Sequence, residues 1–219
     1  MKYQLGRKAI QLDGKRIDKN DCYGQGATYK YADGILKVLD HCDMDEETAK
    51  YLTNLSTSRI LLPKKLLYQD RRLAGYSLKK IPKLGSSRKL ITEPVDYFLH
   101  EVLMVEEETH FLSQRGILLN GISPDHSIYN GELYLTDPSK FSLLNVGNTD
   151  DLDRLNQYQL HLLISELLLS DMRRGDYSSK KIMEVRNLFN SKEEGEFSSE
   201  FFSSLLEDSK DVKQFIKKL

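Results

Sequence analysis

The chain has 219 residues, of which 39% are hydrophobic and 30% charged, and its formal net charge is −1 at pH 7. This size and composition predict a folded globular protein with one large domain or two lobes that share a cleft. The charge balance leaves no basic surplus for nucleic acid or an anionic membrane. Cys22 and Cys42 are too few for a disulfide framework, and no stretch has the apolar length of a signal peptide or a membrane span. We therefore expect a cytoplasmic protein.

The first 40 residues have the pattern of short β-strands separated by Asp-Gly and Gly-x-Gly turns. The predicted strands are Tyr3–Leu5, Ala9–Leu12, Thr28–Tyr31 and Ile35–Leu39. Lys37 lies inside the last of them. A lysine in such a strand is usually an outward-facing, solvated residue, and the functional alternative is a lysine that points into a cleft toward phosphate oxygens.

A change of pattern near residue 82 divides the chain. Before it we predict a helix with acidic residues in its first turn, followed by three more strands, at Asp45–Leu55, Ile60–Leu62, Leu66–Tyr68 and Leu73–Ile81. The segment from Pro82 to Ser87 is the candidate hinge. After it the apolar spacing predicts helices from Val95 to about Gly116 and at Asp151–Ser170, Lys180–Phe189, Glu200–Glu207 and Val212–Lys218. The expected fold is α+β, with an N-terminal β-rich lobe (1–82) and a C-terminal helical lobe (83–219).

One β-hairpin interrupts the helical lobe. Asn130-Gly131 between alternating apolar residues is a strong hairpin signal, and it joins a strand ending at Tyr129 to the strand Leu133–Leu135. Polar residues follow at the far end of each strand, Ser123 to His126 on one side and Asp137 on the other. Because a hairpin brings those two ends side by side, this arrangement suits a site for a metal ion and phosphate.

Together these motifs resemble the protein-kinase-like superfamily, and they are most similar to small bacterial kinases and aminoglycoside phosphotransferases. Gly24 and Gly26 are similar to the glycine-rich loop over the phosphates, with Tyr29 where a third glycine belongs. Lys37 is similar to the strand lysine that contacts the α- and β-phosphates. Its usual partner is a glutamate in the next helix, for which Glu47 is the candidate and Glu46 the alternative. Leu78–Ile81 corresponds to the adenine-binding segment, which implies cofactor contacts from Lys79, Lys80 and Ile81.

The resemblance continues into the hairpin, where the catalytic groups differ. Leu119–His126 aligns with the family's catalytic loop, and Gly121 stands where the catalytic aspartate belongs. His126 replaces the metal-binding asparagine and is a poor ligand for magnesium, which prefers oxygen. Asp137 keeps the metal-binding carboxylate. Asp125 is a candidate catalytic carboxylate, and its alternative role is that of a turn residue beside Pro124.

The resemblance implies a bilobal kinase-like fold and a pseudokinase that binds ATP weakly and acts through a partner protein. Two alternatives remain open. One is an atypical active ATP-dependent phosphotransferase acting on a protein or a small molecule, and the other is a scaffold that binds no nucleotide. The implied cofactors are ATP with Mg²⁺ or Mn²⁺, held by Asp137 and His126, and no nucleic acid partner is expected.

Overall fold

The fold was analysed in a computed structural model of the chain. The structure describes residues 2–12, 16–17, 26–32, 34–39, 43–81, 90–129, 131–145, 147–175, 177–191 and 199–218. Several positions singled out in the sequence therefore lie outside the described residues. They are Cys22, Gly24, Cys42, Asn130 and the candidate hinge from Pro82 to Ser87, together with the side chain of His126.

Among the described residues, seven strands form one antiparallel sheet in the order β2-β1-β6-β7-β5-β4-β3. The strands are β1 (Lys2–Leu5), β2 (Lys8–Gln11), β3 (Arg16–Ile17), β4 (Ala27–Tyr31), β5 (Gly34–Val38), β6 (Lys65–Gln69) and β7 (Arg72–Lys79). The single helix described between β5 and β6 is α1 (Glu46–Leu52), and Asp45 caps it by accepting a hydrogen bond from the Thr48 amide at 2.8 Å.

The C-terminal region is mainly helical. Its described helices are α2 (Val95–Ser113), α3 (Thr149–Arg173), α4 (Ser179–Asn190), α5 (Ser199–Leu206) and α6 (Val212–Lys218). Between α2 and α3 lie the short strands β8 (Ile117–Leu118), β9 (Ser127–Tyr129), β10 (Leu133–Leu135) and β11 (Ser142–Leu143). Strand β9 pairs with β10, and β8 pairs with β11, both antiparallel. The hairpin thus stands beside the loop from Leu119 to His126.

The larger hydrophobic core runs through both the sheet and the helical region. It joins Ile35 and Leu78 of the sheet to Phe98 of α2 and Leu160 of α3, and all four are at most 2% exposed. A second, smaller cluster includes Leu36 of β5. Because successive residues of a strand point to opposite faces of the sheet, Leu36 lies on the face opposite to Ile35. Because one core connects sheet and helices, packing fixes the two regions against each other.

The mixed α+β class is confirmed, and most predicted elements form within a few residues of their expected bounds. The prediction of a strand at Ile60–Leu62 is wrong. Ile60 forms one isolated parallel bridge with Leu135 of the hairpin, so this segment connects the sheet to the helical region. None of the helices in the described residues combines the length and apolar character needed to cross a bilayer.

Candidate functional site

The candidate site is centred on an ion pair between Lys37 and Asp137. Lys37 lies in β5, a central strand of the sheet, opposite Tyr76 of β7. Asp137 lies two residues beyond the end of β10 of the hairpin. The Lys37 Nζ lies 2.5 Å from the Asp137 Oδ1, and both side chains are fully buried. Of the two roles that the sequence left open for Lys37, the outward-facing, solvated one is therefore wrong.

Two further donors approach the same carboxylate oxygen. The Tyr76 hydroxyl donates a hydrogen bond to Asp137 Oδ1 at 3.0 Å, and the Ser139 amide donates at 3.1 Å. Asp137 thereby also caps the 3₁₀ turn Pro138–Lys140. A buried ion pair is tolerated when its geometry is good and further hydrogen bonds satisfy the charges. The hydrogen bonds from Tyr76 and Ser139 meet this requirement for the Asp137 carboxylate.

Gly26 has a structural reason to be glycine. Its φ is +99°, and a Cβ there would lie 2.2 Å from the Val38 carbonyl oxygen. The beginning of β4 therefore passes too close to the end of β5 for any side chain. Gly24, the other predicted loop glycine, lies outside the described residues.

The first turn of α1 does not bring Glu47 to Lys37. Glu47 is exposed, whereas Lys37 is buried against Asp137. Glu46, the alternative, is also exposed, and it pairs with Lys50 at 2.7 Å on the same helix. Both glutamates are exposed because the inward face of this helix carries Thr48, Ala49 and Leu52.

Thr48 is a residue whose role the sequence did not indicate. Its hydroxyl donates to Asp45 Oδ2 at 2.6 Å and accepts a hydrogen bond from the Leu143 amide at 3.0 Å. The hydrogen bonds from Thr48 lower the pKa of the Asp45 carboxyl. These contacts connect α1 to β11, the strand that follows Asp137.

The predicted adenine segment has mixed exposure. Lys79 and Lys80 are exposed, and Ile81 is 1% exposed within the larger core. The structure thus buries Ile81 but places the two lysine side chains in solvent, unlike the buried Lys37 and Asp137.

Gly121, in the aligned catalytic loop, is exposed with φ +69°. A Cβ there would lie 2.5 Å from Lys140 Cδ, the flexible part of a side chain. The Lys140 side chain could move aside for a Cβ, so the main reason for glycine at this position is its left-handed backbone conformation.

Asp125 lies in the 3₁₀ turn Pro124–His126 and is exposed. Asp137, by contrast, is buried with Lys37, so the two candidate carboxylates have opposite environments. The backbone of this turn is described, and the Ser127 hydroxyl closes it by donating to the Pro124 carbonyl at 3.0 Å. The turn is therefore formed whether or not Asp125 has a chemical role.

Asn156 of α3 holds the start of the aligned loop. It is fully buried, accepts a hydrogen bond from the Leu119 amide at 2.9 Å and donates to the Ile117 carbonyl at 2.8 Å and the Ser113 hydroxyl at 2.9 Å. A single amide side chain thus connects α2, β8, α3 and the loop. An asparagine within a helical pattern gave no sequence signal for this function, because its partners lie far away in the chain.

Arg59 is the centre of a second buried polar cluster. Its guanidinium pairs with Glu101 at 3.1 Å and with Glu132 at 2.9 Å, and it lies over the ring of Tyr134. Burial would lower the pKa of Arg59, but the hydrogen bond to Glu132 and the nearby carboxylates raise it. Burial also raises the pKa of Tyr134 to about 12. The cluster joins the segment before β6 to α2 and the hairpin.

The Lys37 ammonium competes with a magnesium ion for the Asp137 carboxylate. Magnesium requires a near-octahedral set of oxygen ligands, and here the Lys37 ammonium already lies on Asp137 Oδ1. Among the described residues, no three His, Cys, Asp or Glu side chains lie close enough together to hold a metal ion. What the pair provides is a fixed contact between the sheet and the hairpin.

No protein-family model matches the chain, and no curated protein shows significant sequence similarity to it.

Proposed function

We propose that the chain is a kinase-like module without phosphotransfer activity, a pseudokinase that works by contacting a partner protein. The observation that carries this proposal is the buried ion pair between Lys37 and Asp137. In a kinase-like enzyme the corresponding two groups bind the nucleotide phosphates and the metal ion. Here they bind each other, at 2.5 Å.

The succession of elements around the pair supports the kinase-like character of the module. Strands β3 and β4 pair on either side of the segment that contains Gly24 and Gly26. The next strand, β5, carries Lys37, and α1 follows it. A glycine loop between paired strands, a lysine strand and then a helix is the order that the resemblance implies for the nucleotide-binding lobe.

The chemistry that remains near the hairpin supports the absence of phosphotransfer. A general base that accepts the proton of the substrate hydroxyl contributes roughly 10²–10⁴-fold to a rate. Gly121 has no side chain to supply it. A magnesium ion at Asp137 would compete with the Lys37 ammonium for the carboxylate, which opposes neutralisation of the phosphate charge by a metal ion there.

The pair also bears on nucleotide binding. For ATP to reach both groups, Lys37 and Asp137 would have to separate, and the free energy of the broken contact would be subtracted from the binding free energy. This favours a module that works without nucleotide over the weak ATP binder, which remains the second candidate. The partner protein and the cytoplasmic location stay predictions.

A nucleotide titration and a phosphotransfer assay together test the proposal. We expect no change in melting temperature with millimolar ATP, with or without Mg²⁺ or Mn²⁺, and no incorporation of label from γ-labelled ATP. A melting shift that disappears in Lys37→Met but persists in the exposed control Lys50→Met would establish the weak ATP binder.

Incorporation of label would establish the atypical phosphotransferase if Asp137→Asn abolishes it and Asp151→Asn, an exposed aspartate on α3, does not. Asp125→Asn then separates the two candidate carboxylates. If this variant also loses incorporation, Asp125 has a catalytic role, and if it does not, Asp125 is a turn residue.

A further inference from the structure

One end of the seven-stranded sheet carries a row of exposed cations. We call it the basic rim. Its members come from four separate stretches of the chain and share a position at the ends or turns of neighbouring strands. They are Arg7, Lys8, Lys30, Lys64, Lys65 and Lys79.

The pairing register places these residues together. Lys8 begins β2 opposite Leu5, where β1 ends, and Lys65 begins the neighbouring strand β6. Lys79 ends β7 opposite Gly34, where β5 begins. Because paired strands lie about 4.8 Å apart, the six strands from β2 to β4 spread this row over roughly 24 Å.

The cations of the basic rim are not held in ion pairs within the described residues. All six side chains are exposed, and none of them forms a direct ion pair with a described residue, although Lys79 is near enough to Glu132 to help lower the pKa of that carboxyl. Some cations elsewhere do have carboxylate partners, as Lys50 has Glu46 and Arg59 has Glu101. Like charges that lie close together repel each other, so their concentration on one rim suits an anionic partner.

The distribution of charge along the sequence strengthens this asymmetry. Residues 1–82 contain 16 Lys and Arg against 10 Asp and Glu, a net charge of +6, whereas residues 83–219 contain 16 against 23, a net charge of −7. The net charge of −1 for the whole chain therefore conceals a strongly polarised molecule.

We infer that the basic rim docks an acidic segment of a partner protein. This inference rests on the proposed function in one respect, since it gives the chemistry of the partner that the module would contact. In an extended peptide, side chains on one side recur about every 7 Å, so a run of about four or five alternating carboxylates spans the row. Each carboxylate would then lie within reach of one or two rim cations.

A short acidic segment suits this surface better than a nucleic acid or an anionic membrane. Either of those is a polyanion that extends beyond a row of roughly 24 Å. Five of the six cations are lysines, which act as point charges, rather than arginines, which bind phosphate with two parallel hydrogen bonds. An acidic peptide contacts the rim alone.

The test uses a fluorescein-labelled peptide of alternating glutamate and serine, long enough to span the rim, with fluorescence anisotropy as the readout. The controls are the same peptide with glutamine for glutamate and a labelled single-stranded oligonucleotide of equal contour length. We expect the acidic peptide to bind more tightly than either control, and we expect its affinity to fall as salt is raised.

A matched pair of variants locates the binding. The rim variant is Lys8→Glu with Lys64→Glu and Lys65→Glu. The control variant reverses three exposed cations at the opposite end of the same sheet, Lys2→Glu with Arg71→Glu and Arg72→Glu. Three charges are reversed together because each exposed charge contact contributes little alone. We expect the rim variant to lose affinity for the acidic peptide by at least roughly tenfold and the control variant by less than about twofold.

Three results would overturn the inference: equal losses in both variants, tighter binding of the oligonucleotide, or no binding of the acidic peptide to the unaltered chain. Circular dichroism spectra of both variants must match that of the unaltered chain. The peptide-binding experiment and the phosphotransfer assay test separate claims, so a negative result in one does not decide the other. A catalytically active chain could still bind the acidic peptide at its rim, and an inactive chain could lack such binding.

Discussion

Lys37 loses its hydration when the chain folds, and Asp137 offsets the free energy of that loss. Moving an ammonium group out of water costs several kcal/mol even after the surroundings relax. The ion pair at 2.5 Å compensates for this cost, and the hydrogen bonds from Tyr76 and Ser139 satisfy the carboxylate further. A buried pair of this kind adds little net stability compared with apolar residues, but each partner depends on the other.

Lys37→Met therefore tests the pair at the level of one residue. Methionine approximates the length of the side chain and removes the charge, which leaves the Asp137 carboxylate buried without its cation. We expect the free energy of unfolding, measured by urea denaturation, to fall by about 3–5 kcal/mol.

Lys50→Met is the matched control for this change. It removes the same charge from an exposed pair with Glu46, for which we expect almost no change in the free energy of unfolding. If both variants lose the same small amount of stability, Lys37 is solvated and the pair is not formed in solution.

The segment from Ser58 to Ile60 shows how an element can be held by a single side chain. Glu108 of α2 accepts hydrogen bonds from three consecutive backbone amides, those of Ser58 at 2.5 Å, Arg59 at 2.9 Å and Ile60 at 2.8 Å. The same segment forms the bridge from Ile60 to Leu135 of the hairpin. The segment that leads to the sheet is therefore held to α2 by the Glu108 carboxylate and to the hairpin by the backbone bridge.

Glu108→Gln tests this junction. Glutamine keeps the size of the side chain, but it replaces one acceptor oxygen with a donor that cannot pair with an amide N–H. Hydrogen bonds to a charged acceptor are stronger than neutral ones, so we expect a loss of about 1–2 kcal/mol in the free energy of unfolding, measured by urea denaturation.

The neighbouring substitution Glu107→Gln is the control, since Glu107 is exposed on the same helix, and we expect it to change stability by less than about 0.5 kcal/mol. A Glu108→Gln variant as stable as its Glu107→Gln control would show that the three amides find other acceptors.

The helices and the hairpin were predictable because their signals are local. The apolar spacing on α2 and α3 reflects the period of the helix. The Asn-Gly signal of the hairpin reflects the backbone geometry that a tight turn requires. Ile60–Leu62 was predicted wrongly because three apolar residues look the same whether they pair with a neighbouring strand or bridge to a distant one. Local pattern identifies an element but not its partner.

The candidate site was only partially predictable, for the same reason. The sequence identified Lys37 and Asp137 as residues of interest, but their direct contact depends on how β5 meets the hairpin far along the chain. Thr48 and Asn156 could not be identified, because their function is to hydrogen-bond backbone groups of distant segments. The residues of a single sequence do not record which distant segments they contact.

At the scale of the molecule, one hydrophobic core extends through the sheet and the helical region, so we expect them to unfold as one cooperative unit. Phe98 of α2 is fully buried, lies edge-on to Phe202 of α5 at 5.7 Å between ring centroids, and belongs to the same cluster as Ile35 and Leu78 of the sheet. A cavity at this position weakens packing that both regions use. Its effect should therefore extend to strands that Phe98 itself does not belong to.

Phe98→Ala with native-state hydrogen exchange tests this cooperativity. Truncating a buried phenylalanine costs about 3–5 kcal/mol. We expect the most protected amides of β5 and β7 to lose as much protection as those of α2 and α3, because all of them exchange through the same global unfolding. Leu103→Ala on the same helix is the control, since Leu103 is 46% exposed and its truncation should leave both sets almost unchanged. Loss of protection confined to α2 and α3 would instead mean that the sheet keeps its structure while the helices open, and the two regions would then be independent folding units.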